Sequence, residues 1–420
     1  MPTPLQIPTP GALAAACTAD GELQLAVRHW NGGLRLEMGA AVTGLTVAEG
    51  QITAGVPDPG PGVVTISGDE ATWEPLTRTV PPRFANDIAV AIRPGRLERS
   101  GDELAWWQYL PAVQRIVELL RAPGSPAPAA VREGDGTLPR FDSPVGGYVH
   151  LELGGFDHRI YFERAGSGIP VLLQHTAGSH GTQWRHLFEN PRITDHFELI
   201  AYDLPFHGKS VPPVDRRWWE EQYRLTGEFL RSVPVTLARA LGLDRPVFMG
   251  CSVGGLLALD LALEHPEDFR AVVAVEGALH IGGEWEGLVG FWHPQVSNDT
   301  KARMMEGLTA PTSPDPYRKE TVQAYASGWP QAFLGDLWYY LVDYDLRERA
   351  GEIDTERVGV HIMSGEYDYS GTIERGRAAH GAIAGSTFTE MAGIGHFPMS
   401  ENPALFMTFL EPILDRIRRG

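Results

Sequence analysis

Hydrophobic and polar positions divide this chain into stretches of different character. Between Leu23 and Ser67 apolar residues alternate with polar ones, the period-2 mark of half-buried strands. Leu23–Val27, Leu34–Met38, Ile52–Gly55 and Val63–Ser67 are the predicted strands, with Gly- and Pro-rich turns between them. Asp69–Leu76 reads as a short helix capped by Asp69 or Ser67. Leu104–Leu120 reads as strongly helical, with Pro111 as a kink or a division. The Pro- and Ala-rich residues 1 to about 20 are expected to begin as a loose tail. Residues 122–140 have linker composition, and the domain boundary is placed there.

Beyond the linker the pattern changes. Tyr148–Leu153 and His158–Glu163 alternate around Gly154-Gly155, which predicts a hairpin. Pro170–Gln174, Phe197–Tyr202, Val247–Met249, Ala271–Val275 and Val358–Met363 are short unbroken apolar runs. Strands buried on both faces read this way. Helical stretches, plainest at Arg216–Leu243 and Gly254–His265, separate most of them. The alternation predicts an α/β domain over 141–420 with a doubly wound, mostly parallel sheet. Aromatic residues crowd the segment from Glu276 to about Glu356, too long for a simple crossover. It is expected to form a helical cap over 277–356, with most aromatics in its core. Trp292 and Trp338 are candidates to line substrate access.

Composition narrows the partners. The chain has 420 residues and a formal charge of −18, with 35 Lys and Arg against 53 Asp and Glu. Such a surface repels nucleic acid and anionic membranes, and neither is expected as a partner. The two cysteines, Cys17 and Cys251, offer no disulfide framework, which suits a reducing cytoplasm. Gly11–Cys17 faintly resembles a lipoprotein cleavage site. However, no basic residue comes before Arg28, and Pro2, Pro4, Pro8 and Pro10 interrupt the stretch, so export is not expected. Oligomeric state stays open, a homodimer included.

The chemistry centres on Pro246–Gly255, where a short apolar run meets Gly-x-Ser-x-Gly and an apolar helical pattern follows. Strand, sharp turn and helix place the Ser252 hydroxyl at the top of a parallel sheet. Gly250 and Gly254 leave space where a Cβ would crowd the turn. The motif alone is weak, since a serine capping a helix after a strand reads the same way. Its partners decide. Acyl transfer needs a base for the hydroxyl proton and a carboxylate to orient that base. On this kind of sheet the expected order is serine, acid, histidine. His396 is the candidate base, in a Gly-flanked loop after the predicted strand Thr387–Met391. Asp368 is the preferred acid, in the loop after Met363; Glu366 in the same turn and Glu276 at the preceding strand end are alternatives. An oxyanion hole needs two backbone N–H groups. Val253 supplies one, and the loop His175–Trp184 the other, from Ala177 or alternatively Thr176. His175 and His180 are candidate substrate contacts. No metal or cofactor is expected, because zinc-like spacing, phosphate loops and dinucleotide fingerprints do not occur.

The His175 loop, Tyr202–Ser210, the Ser252 elbow, Gly365–Asp368 and Gly395–Pro403 together resemble the α/β-hydrolase superfamily, over about residues 145–420. The resemblance implies that Asp203, His207 and Ser210 brace a loop, so His207 is structural. One departure is Thr176, where the family commonly has Gly. Over about residues 20–121 the element order resembles the sterol-carrier-protein fold, through Leu34–Glu37, Gly62–Asp69, Trp73 and Leu97–Asp102. That resemblance implies an apolar cavity for lipid-like ligands, although an accessory α+β domain with an ordinary core reads the same. The expected fold class is α/β, an α/β-hydrolase sheet with a helical cap, preceded by a small α+β sterol-carrier-like domain over 1–121.

The expected function is a cofactor-free serine hydrolase that cleaves a carboxylic ester of an apolar or aromatic small molecule through an acyl-enzyme. A lactone, a thioester or an activated carbon–carbon bond would use the same triad. Two readings of other classes are a lipid-binding carrier and a cofactor-independent oxygenase. The complete Ser-Asp-His set argues against the oxygenase.

Overall fold

The computed structural model describes residue 5 and residues 7–92, 95–121 and 142–420; the expected linker lies outside the described residues. The chain forms two compact units. One is Met1–Ala127 with Gly290–Thr312, and the other is Pro128–Val289 with Ser313–Gly420. The segment expected as a single cap is therefore divided, with its middle part grouping with the N-terminal residues.

In the first unit the strands are β1 (Gly32–Met38), β2 (Ala41–Ala48), β3 (Gln51–Ala54), β4 (Val63–Gly68) and β5 (Glu98–Gly101). They lie in the order β3-β2-β1-β4-β5, with only the β1–β4 pair parallel. Leu34, Leu36, Val64 and Ile66 from the central strands pack with Trp30, Trp73 and Trp106. The indole N–H groups of Trp30 and Trp73 donate to the carbonyls of Gly62 and Glu37, so the large rings are buried with their polar atoms satisfied. The helix Glu103–Leu119 runs unbroken through Pro111. Beside it lies the helix Asn298–Glu306 from the inserted segment. The Thr300 hydroxyl donates to the Trp107 carbonyl at 2.8 Å, and the Gln114 amide donates to the Arg303 carbonyl at 3.2 Å. The Arg303 guanidinium reaches Glu22 at 2.7 Å and also pairs with Glu306.

Three expectations for this unit need correction. Leu23–Val27 lies in a helix, Gly21–Val27, not a strand. Its apolar positions 23, 25 and 27 fit either period. The Asp20 carboxylate caps the Leu23 N–H at 2.8 Å, Leu23 and Val27 are buried one turn apart, and Leu25 is 65% exposed. Pro10–Ala19 is helical rather than loose, with Thr9 as its cap and Leu13 and Cys17 buried. Strand β2 was not anticipated, because Gly44 interrupts its apolar pattern. In the structure Gly44 lets the β1 and β2 backbones approach: a Cβ there would lie 2.5 Å from the Leu34 carbonyl oxygen.

The second unit holds β6 (Val145–Leu153), β7 (Phe156–Gly166), β8 (Ile169–Gln174), β9 (Phe197–Tyr202), β10 (Val247–Cys251), β11 (Ala271–Val275), β12 (Gly359–Gly365) and β13 (Thr387–Met391). Their order is β13-β12-β11-β10-β8-β9-β7-β6. β6 and β7 form the predicted hairpin, with Gly154 and Gly155 at positive φ in its two-residue turn. From β9 to β13 all pairings are parallel. β10 and β11 are buried along their whole length, as their unbroken apolar sequences require. The stretch Arg216–Leu243 is not one helix. A short turn of helix at Trp218–Glu220 precedes the helix Gly227–Ala240, which Thr226 caps. Among the described residues no helix is long and apolar enough to cross a membrane.

Candidate active site

Parallel register brings the carboxyl ends of β8, β10, β11, β12 and β13 to one edge of the sheet, where ligand sites of open α/β sheets lie. Ser252 follows β10, Glu276 follows β11, Asp368 follows β12 and His396 follows β13. The ladder continues past the strand ends: Ser252 N–H donates to Val275 O, and Glu276 N–H to Met363 O. Those bonds fix Ser252 and Glu276 at positive φ, +60° and +54°, a conformation that costs a non-glycine residue on the order of 1–3 kcal/mol. Close approach of strand and helix makes room for the turn. A Cβ on Gly250 would lie 2.4 Å from the Gly254 carbonyl oxygen, and one on Gly255 would lie 2.2 Å from that of Val275. The helix Val253–Glu264 starts immediately.

His396 Nδ1 pairs with Asp368 Oδ2 at 2.6 Å. Asp368 is fully buried and accepts two backbone N–H groups, from Ser370 at 2.7 Å and Gly371 at 3.0 Å. Burial alone would raise its pKa. The His396 ring, with these donors, holds it below the usual carboxylate range instead. Because Nδ1 faces a carboxylate, it carries the proton, and Nε2 is left as the basic nitrogen. The histidine loop is clamped by Glu401, whose carboxylate accepts from Gly395 N–H at 2.6 Å and Phe397 N–H at 3.3 Å, on either side of His396. The Cys251 thiol donates to the His396 carbonyl at 3.2 Å.

The alternative acids have other partners. Glu366 accepts the Gly393 N–H at 2.8 Å and so braces the histidine loop. Glu276 accepts the Gly365 N–H and bonds to Asp368, not to His396. In the loop after β8, the Thr176 N–H is committed to Gln183 Oε1 at 3.0 Å, and its hydroxyl bonds to Gln183 and to Tyr325. The Ala177 N–H has no acceptor among the described residues. Val253 opens its helix, where no intrahelical acceptor exists. Among the described residues both N–H groups are thus left without an acceptor.

The histidine proposals divide. Both ring nitrogens of His175 are engaged within the fold. The residue is buried, its Nδ1 lies 2.8 Å from the Thr176 carbonyl, and its Nε2 accepts the Leu204 N–H at 3.0 Å. Burial and the neighbouring His207 push its pKa well down, consistent with that neutral tautomer. His180 lines a cleft of about 240 Å³ with Tyr161, Asp203 and Lys209, in which no triad residue takes part. His207 faces acceptors with both ring nitrogens, the Pro205 carbonyl at 2.9 Å and Asp336 at 2.8 Å. Both must be protonated. Burial opposes that charge, but the Asp336 carboxylate outweighs it and raises the pKa. Asp336 also accepts the Gly178 N–H at 2.7 Å, and thereby ties the helix Pro330–Trp338 to the Ala177 loop.

Trp338 packs edge-on against Trp285, with the Arg224 guanidinium 4.2 Å from its ring centre. Trp292 belongs to the first unit and is 43% exposed. A residue given no individual role by its sequence pattern is Tyr340. Its hydroxyl bonds to Ser370 Oγ at 2.9 Å and reaches the Ser252 side chain. Burial and the Asp368 charge raise its pKa, so the phenol stays protonated as a donor. Its signal in the sequence was only membership of an aromatic-rich segment.

The chain belongs to the α/β-hydrolase fold family: the model of that family matches residues 169–403, more than half of the sequence. It is an enzyme of that class. An uncharacterized protein of Mycobacterium tuberculosis is 26% identical over 281 residues, covering 61% of this chain and 79% of the relative. A pimeloyl-[acyl-carrier protein] methyl ester esterase of Vibrio vulnificus is 26% identical over 202 residues, 45% of this chain and 73% of that esterase. Among solved structures, a thermophilic esterase from Thermogutta terrifontis superposes with a TM-score of 0.57 at 18% identity, over 65% of this chain and 99% of the esterase. At that identity the likeness speaks for the fold alone.

Proposed function

We propose that this enzyme is a cofactor-free serine hydrolase acting on a carboxylic ester of an apolar or aromatic small molecule. The observation that carries the reading is the 2.6 Å His396–Asp368 pair at the same sheet edge as Ser252 on its strained turn. Ser252 Oγ attacks the ester carbonyl while His396 Nε2 takes its proton, and the Val253 and Ala177 N–H groups receive the oxyanion. Collapse of the tetrahedral intermediate breaks the bond to the alcohol oxygen, which takes the proton from His396. Water, deprotonated by His396, then attacks the acyl-enzyme, and Ser252 recovers its proton as the acid leaves. Preference for an apolar or aromatic group is supported by the aromatic side chains around the site. Tyr340 reaches Ser252, and Tyr325 packs on Phe397 beside His396 and bonds to Thr176. The esterase relative adds support for an ester.

The test is a panel of esters, lactones and thioesters with wild type and Ser252→Ala, together with fluorophosphonate labelling. Expected are ester turnover and labelling in wild type and neither in the variant. Unchanged hydrolysis by Ser252→Ala would overturn the mechanism.

For the first unit the sterol-carrier resemblance supports a second proposal, an apolar-ligand role for residues 20–121. Lipid extracted from the purified full-length chain tests it. The full chain is required because Gly290–Thr312 belongs to the same unit.

A further inference from the structure

Two carboxyl groups share the floor of this site. Glu276 and Asp368 leave neighbouring parallel strands, and both are fully shielded from solvent. Gly365 links them: its N–H donates to the Glu276 carboxylate at 2.9 Å, and its carbonyl accepts the Asp368 N–H at 3.3 Å. The two side chains are hydrogen-bond partners. Two carboxylates cannot bond to each other without a proton between them, and in a buried site they cannot both carry charge. The donors around each decide where the proton sits. Asp368 receives the Ser370 and Gly371 N–H groups and the His396 ring. Glu276 receives one N–H, that of Gly365, shared between its two oxygens at 3.0 and 2.9 Å. Three donors favour the anion at Asp368, and one shared donor leaves the acid at Glu276.

We infer that Glu276 is a permanently protonated positioning residue that donates its O–H to Asp368 and moderates the basicity of the Asp368–His396 pair. The inference rests on the triad proposed above. Burial and the Asp368 charge push the Glu276 pKa well above the carboxylate range, in the same direction. The O–H spreads the Asp368 charge, so the aspartate holds a proton on His396 less tightly. It also fixes the carboxylate plane through the Gly365 N–H. Glu276 itself touches no reacting atom. The other titratable groups facing the pair are Glu401, Cys251 and Tyr340, and all stay unchanged in the test.

The experiment compares Glu276→Gln and Glu276→Leu with wild type in full pH profiles of kcat/KM on one ester. Glutamine can copy the neutral acid, its amide donating to Asp368 and its oxygen accepting from Gly365. Expected for Glu276→Gln are a kcat within about 3-fold of wild type and an unmoved acid limb. Glu276→Leu removes the donor. Its kcat should fall at least about 10-fold, and its acid limb should move up by about half to one pH unit as His396 becomes more basic. A Glu276→Gln variant whose acid limb moves down by about one unit, or which is as impaired as Asp368→Asn, would show an ionised Glu276 and overturn the inference. Infrared spectroscopy of the wild type at neutral pH gives a readout independent of turnover and of how the variants fold. A protonated-carboxyl carbonyl band that Glu276→Gln or isotope-edited glutamate displaces is expected, and a spectrum without that band contradicts the proposal. Loss of fluorophosphonate labelling by wild type would refute the triad instead, and the infrared band distinguishes the two failures.

Discussion

The two units close their cores in different ways. In the catalytic unit each central strand is an unbroken apolar run, and parallel neighbours cover it on both sides. In the N-terminal unit the sheet is mixed, and the helix Asn298–Glu306, from far along the chain, lies beside the helix Glu103–Leu119. Arg303 from that inserted segment pairs with Glu22, near the start of the unit. The difference shows how far local pattern can carry a fold. A strand buried on both faces announces itself by composition, whereas a helix face covered by a distant segment gives no sign of what covers it.

The largest effect that would sharpen this contrast lies in the catalytic unit. Asp368→Asn should lower kcat by about 10⁴ with the fold intact, because the amide presents the wrong partner to His396 Nδ1. Steady-state kinetics alongside circular dichroism check it, and near-normal turnover would break the assignment of chemistry to that unit's sheet edge. Second, Arg303→Ala should destabilise the N-terminal unit by about 3 kcal/mol, since it removes the cation held between Glu22 and Glu306. Urea titration followed by tryptophan fluorescence measures it, and an unchanged midpoint would mean that the inserted helix is dispensable there.

Third, the His207–Asp336 pair should make stability of the catalytic unit pH-dependent. The folded-state pKa of His207 is raised above its ordinary 6.5. Its contribution is therefore fully present below about pH 6.5 and is lost as pH rises through the raised value. His207→Gln should cost about 2 kcal/mol at pH 6, and the gap from wild type should narrow by pH 9. Denaturation at the two pH values reads the gap, and a widening gap would reverse the sign. Smallest, Tyr340→Phe deletes one hydroxyl and its bonds to Ser370 and Ser252. An effect of about 1 kcal/mol, close to 5-fold in kcat, is expected from the pH-independent rate on the preferred ester.

Legibility followed the range of the interaction. The β6–β7 hairpin could be read because Gly154-Gly155 between alternating runs is a local backbone instruction. Leu23–Val27 could not, because five residues fit two periods and the Asp20 cap and Leu25 exposure decide between them. Along the chain Ala177 is the expected oxyanion donor with Thr176 as the alternative. The side chain of Gln183, folded back in space, occupies the Thr176 N–H and leaves that of Ala177.

The sequence by itself determined the parallel strands, the elbow at Ser252, and the chain order that makes His396 and a carboxylate its candidate partners. Apolar runs and glycine-flanked turns act through short-range backbone preference, which is written locally. Tertiary structure alone decided which of three carboxyl groups meets His396. Parallel register sets the ends of β11 and β12 side by side, so Glu276 arrives behind Asp368 and Glu366 turns to Gly393. It also brought Tyr340 to Ser252 and placed Arg303 against the N-terminal unit. Those choices depend on distances between residues far apart in the chain, and no pattern along the chain encodes them directly.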